Sequence, residues 1–482
     1  MKIPEKSQPV GDVLDRLGAK RKDDVDWRSG RTFAYIFGIG EEATRLAEQA
    51  HTLFLWESAL DPTVFPSTLK LETEIIAMAT SHLSGDSEVV GNFTSGGTES
   101  VMLAVKTARD YARAHDDKIT DPQMILPATA HPCFHKAAQY LDIKTVMIDV
   151  DPQTYRADVD AMEAAITDQT ILLVGSATSY AHGVVDPIAE LGQVALKHGL
   201  LLHVDGCIGG FMLPLFRELG AEITPFDFSV PGVTSISMDL HKYAFAPKGA
   251  STVLYRNDSI RQYQIFTWSD WPGYSIINPT IQSSKSGGPL AATWALMNHM
   301  GMEGYLKEAA KLKGGMETIV SGVEKIDGLR VLGKPEMSLI AIACEGFSVF
   351  GLCEEMKKLG WNMHPQMKMG DLVENFHLTV MPSNVPHLDS WVEDLAKTTA
   401  RMRGAAADVA PTPIKAMLAS VDLSKVSDGQ LGELMAMAGL GNGDLPDQDM
   451  TEINEILNEL PSDIRDRLLT IYFNKLSRYK GE

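Results

Sequence analysis

The sequence predicts an α/β protein with a large, mainly parallel-sheet domain, a smaller C-terminal α+β domain and an extra helical tail. Three observations predict this. Between about Ile75 and Tyr255, short apolar runs alternate with helical patterns, the rhythm of a parallel sheet wrapped by helices. From about Gly301 the rhythm changes to a long helix followed by alternating strands and helices. Beyond Pro411 and Pro413, which follow a run of small residues and read as a linker over 405–413, only helical patterning remains.

A chain of 482 residues exceeds one typical core, so two or three domains are expected. The expected boundaries are an N-terminal segment over 1–75, the large domain over 76–300, the small domain over 301–403, and linker plus tail over 404–482. Strands are expected at 124–126, 145–148, 171–174, 201–204, 235–238 and 252–255, with helices at 98–114 and 186–198 among them. The small domain should hold strands near 328–333, 338–343 and 377–380. In the tail, Ser462 is placed to cap a helix whose Ile464, Leu468 and Ile471 share one face.

The charge balance narrows the function. Lys and Arg number 43 against 63 Asp and Glu, a formal charge of −20, which opposes binding to nucleic acid or anionic lipid. The start of the chain lacks the apolar core of a signal peptide and no uncharged apolar run is long enough to span a bilayer, so a cytoplasmic protein is expected. Cys133, Cys207, Cys344 and Cys353 form no CxxC pair, so neither a disulfide framework nor a metal site is expected.

Three stretches carry chemistry. Thr94-Ser95-Gly96-Gly97-Thr98-Glu99-Ser100 runs directly into a helical pattern, where glycines admit close approach and a helix N-terminus favours a phosphate. His203-Val204-Asp205-Gly206 puts a carboxylate where a parallel strand ends, the ligand end of open α/β sheets. His241-Lys242-Tyr243 puts a lysine after another strand, among aromatic and apolar neighbours able to depress its pKa. Singly, each has a plainer reading: a turn, a cap or surface acid, a solvated lysine. Jointly they supply the parts of a fold-type I pyridoxal-phosphate (PLP) site: a phosphate cradle, an acid for the ring nitrogen and an amine 37 positions later.

From Leu55 to about Met402 the chain resembles the sphingosine-phosphate lyases, and more distantly the PLP-dependent (group II) amino-acid decarboxylases. The resemblance is colinear through Thr94 to Ser100, Thr129-Ala130-His131, His182 to Pro187, His203-Val204-Asp205, Gly232 to Ser237 and His241 to Gly249. It implies that Lys242 carries the Schiff base, Asp205 pairs with the pyridine nitrogen and His131 stacks on the ring. Gly97, Thr98 and His241 would hold the cofactor phosphate. It also implies a homodimer with shared active sites, in which Ser284 reaches the partner's cofactor and the N-terminal segment lies at the interface.

Two departures concern the substrate. Asp61 stands where the lyases carry a histidine, and Lys285 where they carry an arginine. An acid there would repel a phosphate, and Lys285 cannot reproduce a guanidinium fork, so the polar end of the substrate stays open. The resemblance implies retro-aldol cleavage of a sphingoid-type amino alcohol or its phosphate, with amino-acid decarboxylation as the alternative and a silent PLP-fold binding protein as a minor one. A proton acceptor for the substrate hydroxyl is expected among Lys242, His182, His203 and Tyr180, and Lys248 joins Asp61 and Lys285 as a candidate substrate contact.

Overall fold

The computed structural model describes residues 2–405, 427–437 and 449–479. Beyond Ala405, the expected linker lies outside the described residues. An exposed helix, α1 (Val10–Ala19), opens the chain, followed by α2 (Glu41–Leu53) and α3 (Pro66–His82). Proline at the first position of α3 suits a helix start, where its missing N–H has no partner to lose.

The large domain is built from β1 (Val90–Thr94), α4 (Gly97–His115), β2 (Gln123–Pro127), α5 (Cys133–Leu141), β3 (Lys144–Ile148), α6 (Val159–Ala164), β4 (Thr170–Ser176), α7 (Ile188–His198), β5 (Leu201–Asp205), α8 (Met212–Glu218), β6 (Ser235–Asp239) and β7 (Ser251–Tyr255). Its seven strands run in the order β1-β7-β6-β5-β4-β2-β3. Strands β2 to β6 pair in parallel, while β7 is antiparallel to both neighbours. Strands β2, β4, β6 and β7 are buried along their whole length, as expected where helices cover both faces.

Strands β4, β5 and β6 are consecutive neighbours in this sheet, which sets where its polar residues gather. Parallel neighbours end on the same side of the sheet, so Asp205 at the end of β5 and Asp239 at the end of β6 reach one rim. The turn after β6 carries His241 and Lys242 onto it. The N-terminus of α4 arrives beside them.

After α9 (Asp258–Arg261) an exposed two-strand ribbon forms from β8 (Phe266–Trp268) and β9 (Ile276–Asn278). Helix α10 (Gly287–Val323) then runs through residue 300 with a non-helical Gly301 in its middle, so the expected domain boundary falls inside one long bent element. The small domain follows: β10 (Leu329–Val331), β11 (Leu339–Cys344), α11 (Val349–Lys358), β12 (His364–Gln366), β13 (Asn375–Thr379) and α12 (Leu388–Ala405), with an antiparallel sheet in the order β10-β11-β13-β12. Gly183, in the loop after β4, packs against β11. Its φ is +70° and a Cβ there would stand 2.2 Å from Leu339 O, so only glycine lets the chain pass β11 this closely.

The described part of the tail is α13 (Asp428–Met437), α14 (Thr451–Glu459) and α15 (Ser462–Leu476). Leu431, Ile456, Leu460, Ile464 and Leu468 form its own small core. Ser462 starts α15 but does not cap it: the cap position is Pro461 and no side-chain cap bond forms. The tail leans on the small domain, where Asn458 Oδ1 accepts from Lys368 N (2.8 Å) and Glu455 Oε1 from Ser348 Oγ (2.6 Å).

Candidate active site

The site is built at the rim where β5 and β6 end. Asp205 is 7% exposed, and its Oδ1 accepts from Cys207 N (3.0 Å) and from Ser237 Oγ (3.4 Å). Among the described residues Oδ2 accepts no hydrogen bond. One oxygen is thus oriented by the chain and the other is left for a donor such as a ring N–H.

Lys242 Nζ lies 3.0 Å from Asp239 Oδ2, and His241 Nε2 lies 3.6 Å from the same oxygen. The expected depression of the lysine is therefore corrected. Burial does push its amine down, but Asp239, with Cys207 and Asp205 beyond it, outweighs burial and holds the free amine above the ordinary lysine range. Asp239 itself is 3% exposed. Burial works against its charge, yet Lys242 and His241 hold its carboxyl below the usual range.

Over this pair stands the start of α4, with Gly96 at the cap position and no side-chain cap bond on the first N–H groups. A Cβ at Gly97 would stand 2.8 Å from both Asp239 Oδ1 and Cys207 Sγ, which is why the backbone can reach the site here. Thr98 is half-buried at the same helix start. The buried Glu99 ties the region together: Oε2 accepts from Ser95 N (2.6 Å) and Oε1 from Ile281 N (2.8 Å) and Gln282 N (3.1 Å). Ser284, two residues beyond Gln282, is exposed.

His131 Nδ1 accepts from Cys133 N (3.2 Å), and its ring meets Tyr180 edge-on with centroids 6.5 Å apart. Burial lowers the His131 pKa, with Asp205 opposing, so the ring is held toward its neutral form. Tyr180 stacks on His377 (4.5 Å) and its hydroxyl contacts His364 Nδ1 (3.3 Å). Lys248 lies over the Phe37 ring (4.8 Å), and burial with Lys242 nearby lowers its pKa to about 8. With His241, Phe37 and Phe245 it lines a largely apolar cavity of 460 Å³.

Three expected substrate contacts are turned elsewhere. His203 is fully buried, with Nδ1 on Ser235 Oγ (2.9 Å) and Nε2 on Ser237 Oγ (3.2 Å), so it braces β5 against β6 and burial lowers its pKa to about 4. His182 stacks on Tyr155 (4.3 Å) at the seam with the small domain, where burial also lowers its pKa to about 4. Lys285 is 7% exposed and held by Glu72 Oε2 (3.0 Å) and Phe93 O (2.9 Å).

Asp61 is fully exposed and accepts from Thr63 N (2.8 Å) and Thr63 Oγ1 (2.7 Å), which lower its pKa. It closes the turn before α3. Asp239, Ser237, Glu99 and Glu72 were not singled out from the sequence. Asp239 alone had a local signal, its place three residues before Lys242 at a strand end.

The set fits a PLP cofactor: an open helix N-terminus for its phosphate, a half-occupied carboxylate for its ring nitrogen, an enclosed amine for its aldehyde. Residues 46–344 match the pyridoxal-dependent decarboxylase conserved domain, and residues 412–475 match the C-terminal putative HTH domain of pyridoxal-dependent enzymes. The sphingosine-1-phosphate lyase of Arabidopsis thaliana is 39% identical over 445 residues, 90% of this chain and 79% of that protein. The corresponding lyase of Dictyostelium discoideum is 38% identical, over 82% of this chain and 73% of its own. Among solved structures, the Burkholderia pseudomallei sphingosine-1-phosphate lyase superposes with a TM-score of 0.80 at 34% identity, covering 88% of this chain and 97% of that one. The Lactobacillus brevis glutamate decarboxylase shares the fold, with a TM-score of 0.74 at 19% identity over 85% of this chain and 96% of that one. The chain therefore belongs to the pyridoxal-dependent decarboxylase family, as a member that resembles its sphingosine-1-phosphate lyases.

Proposed function

We propose that the protein is a PLP-dependent carbon–carbon lyase that splits a phosphorylated sphingoid-type amino alcohol into an aldehyde and an amine. The observation that carries the reading is the convergence of Lys242, Asp205 and the open start of α4 on one rim, in a chain 39% identical to such a lyase. When bound, PLP supplies an aldehyde for the lysine and a protonated ring that draws electrons from the bond being broken.

The chain's own residues do the rest. Asp205 offers Oδ2 to the ring nitrogen while Cys207 and Ser237 hold Oδ1 still. Gly97, Thr98 and His241 bind the phosphate, with helix N–H groups as donors. His131, anchored by Cys133 N, covers the ring. Of the four groups weighed as acceptors for the substrate hydroxyl proton, His203 and His182 are engaged away from the rim, leaving Lys242 and Tyr180. Tyr180 is the better bridge between substrate and solvent, because its hydroxyl already contacts His364 Nδ1.

Of the two departures, Lys285 is turned away from the substrate. It is engaged by Glu72, while the Thr63 hydrogen bonds keep Asp61 a carboxylate on an exposed turn. Lys248, which lines the apolar cavity together with Arg28, is the cation assigned to the substrate phosphate.

A homodimer completes the reading. Leu53, Leu55, Trp56, Leu60, Val64 and Leu69 leave an apolar surface on the N-terminal segment, beside the turn that carries Ser284. Among the described residues no helix is long and apolar enough to cross a membrane, and with the acidic surface this supports a cytoplasmic enzyme without nucleic-acid partners.

The test is incubation of the purified protein with phosphorylated and free sphingoid bases and with the common amino acids, reading aldehyde and carbon dioxide separately. Aldehyde from the phosphorylated base is expected; carbon dioxide from an amino acid without aldehyde would replace the lyase by a decarboxylase.

A further inference from the structure

Lys242 does not stand alone at the end of β6. Asp239 closes the strand, with Oδ2 on the lysine and Oδ1 buried without a hydrogen-bond partner among the described residues. A buried carboxylate with an idle oxygen is costly, and replacing such a pair by apolar groups is often neutral or stabilising. Packing does not explain the pair. Gly97, which alone leaves room for both oxygens, ties the carboxylate to the helix start that faces the same rim.

We propose that Asp239 stores the proton of Lys242, taking it on Oδ2 when the amine must attack a carbonyl carbon and returning it when the amine is set free. The inference rests on the reading of Lys242 as the amine for the cofactor aldehyde. In the forward direction an N–H bond of the ammonium breaks and an O–H bond forms on Asp239. The freed electron pair of nitrogen makes the bond to carbon, and the carbonyl oxygen leaves as water with the two remaining amine protons. Charge is conserved, and no oxidant or reductant takes part.

The surroundings rest the shared proton on the lysine, with Asp239 as its nearest acceptor. His241 and Lys248 act on the pair from the same turn, Asp205 and Cys207 from the end of β5, and His131 and Cys133 from the start of α5. Tyr180 approaches from the segment after β4. On the sheet side Ser251 is near enough to help hold the carboxyl down, but its hydroxyl donates to Met238 O (3.2 Å) and meets Ser100 Oγ (2.9 Å). While the pair holds one shared proton, the share in the amine-plus-acid form does not change with pH.

The experiment uses full-length protein prepared without cofactor. Trace labelling with acetic anhydride across pH, read at Lys242 by mass spectrometry, gives the midpoint of the amine directly. A midpoint above the ordinary 10.5 is expected in the wild type. In Asp239→Asn, where Asp205 and Cys207 remain but the nearest charge opposing burial is gone, it should fall below the wild-type midpoint, and Asp239→Glu should restore the rise. Stopped-flow uptake of pyridoxal phosphate adds the acceptor role. The ratio of variant to wild-type rates, in which the cofactor's own ionisations cancel, should fall about tenfold per pH unit below the variant's midpoint.

A wild-type midpoint at or below 10.5 would overturn the proposal even if Asp239→Asn fails to fold. So would an Asp239→Asn protein that keeps the wild-type midpoint and a flat rate ratio. A wild type that labels as expected yet never takes up pyridoxal phosphate would overturn the cofactor reading, and the storage role with it.

Discussion

Ser237 Oγ lies 3.4 Å from Asp205 Oδ1 and ends a buried chain, Ser235 to His203 to Ser237, that runs from β6 to β5 and back. With His203 held neutral by burial, the serine donates to the carboxylate and accepts from the imidazole. The acid meant for the ring nitrogen is thus oriented from within the sheet. Ser237→Ala should weaken cofactor binding about tenfold to a hundredfold, the worth of one hydrogen bond to a charged group. Asp205→Ala, saturated with cofactor, should lose most turnover while Lys242 still reacts. Absorbance titrations with the cofactor measure the first effect and steady-state rates the second.

Lys242 is the amine that borohydride should fix to the cofactor. Reduction of the yellow protein, followed by peptide mapping, is expected to place the adduct on Lys242. An adduct on Lys248 would reassign the site, since its lowered pKa makes it the competing nucleophile.

Lys285→Met should act on stability, not on substrate handling. The change leaves Glu72, whose side chain is 12% exposed, without its cation, a loss of about 3–5 kcal/mol for a broken buried pair. Glu72 Oε1 would still accept from Asn92 and Phe93 N. Denaturant unfolding should show the drop with an unchanged KM. A raised KM at unchanged stability would return Lys285 to the substrate pocket.

Lys248 gives the reaction a basic limit. Its pKa is lowered from 10.5 to about 8, so the cation is present below that pH and is lost as pH rises through it. Discrimination for the phosphorylated over the free base, read as the ratio of kcat/KM values, should therefore fall above about pH 8. In Lys248→Ala the ratio should be low at every pH.

Mixing a Lys242→Ala subunit with one altered over residues 283 to 288 should restore activity that neither has alone. One hybrid site would then receive both an intact lysine and an intact Ser284. An active monomer at high dilution would exclude shared sites.

The strand ends bearing Asp205 and Lys242 were legible in the sequence because their signals are local: an apolar run that stops, then a polar residue, inside an alternation of strand and helix. Strand β1 was missed because Gly91 and Asn92 break its apolar run; its register comes from β7, more than 150 residues later. Strand β12 was missed because Pro365 sits in it, tolerated at a sheet edge. Which charged groups face the rim was settled only by folding. Lys285 is claimed by Glu72 from 213 positions away, His203 by serines 32 and 34 positions on, His182 by the ring of Tyr155. Asp239, close in sequence, became a partner for Lys242 only when the turn after β6 folded the lysine back over it. By itself the sequence determined the layer architecture and the chemical kind of the site, since periodicity and strand-end residues are properties of short segments. The tertiary structure decided the protonation and the direction of each side chain, because burial and pairing depend on groups brought together from far along the chain.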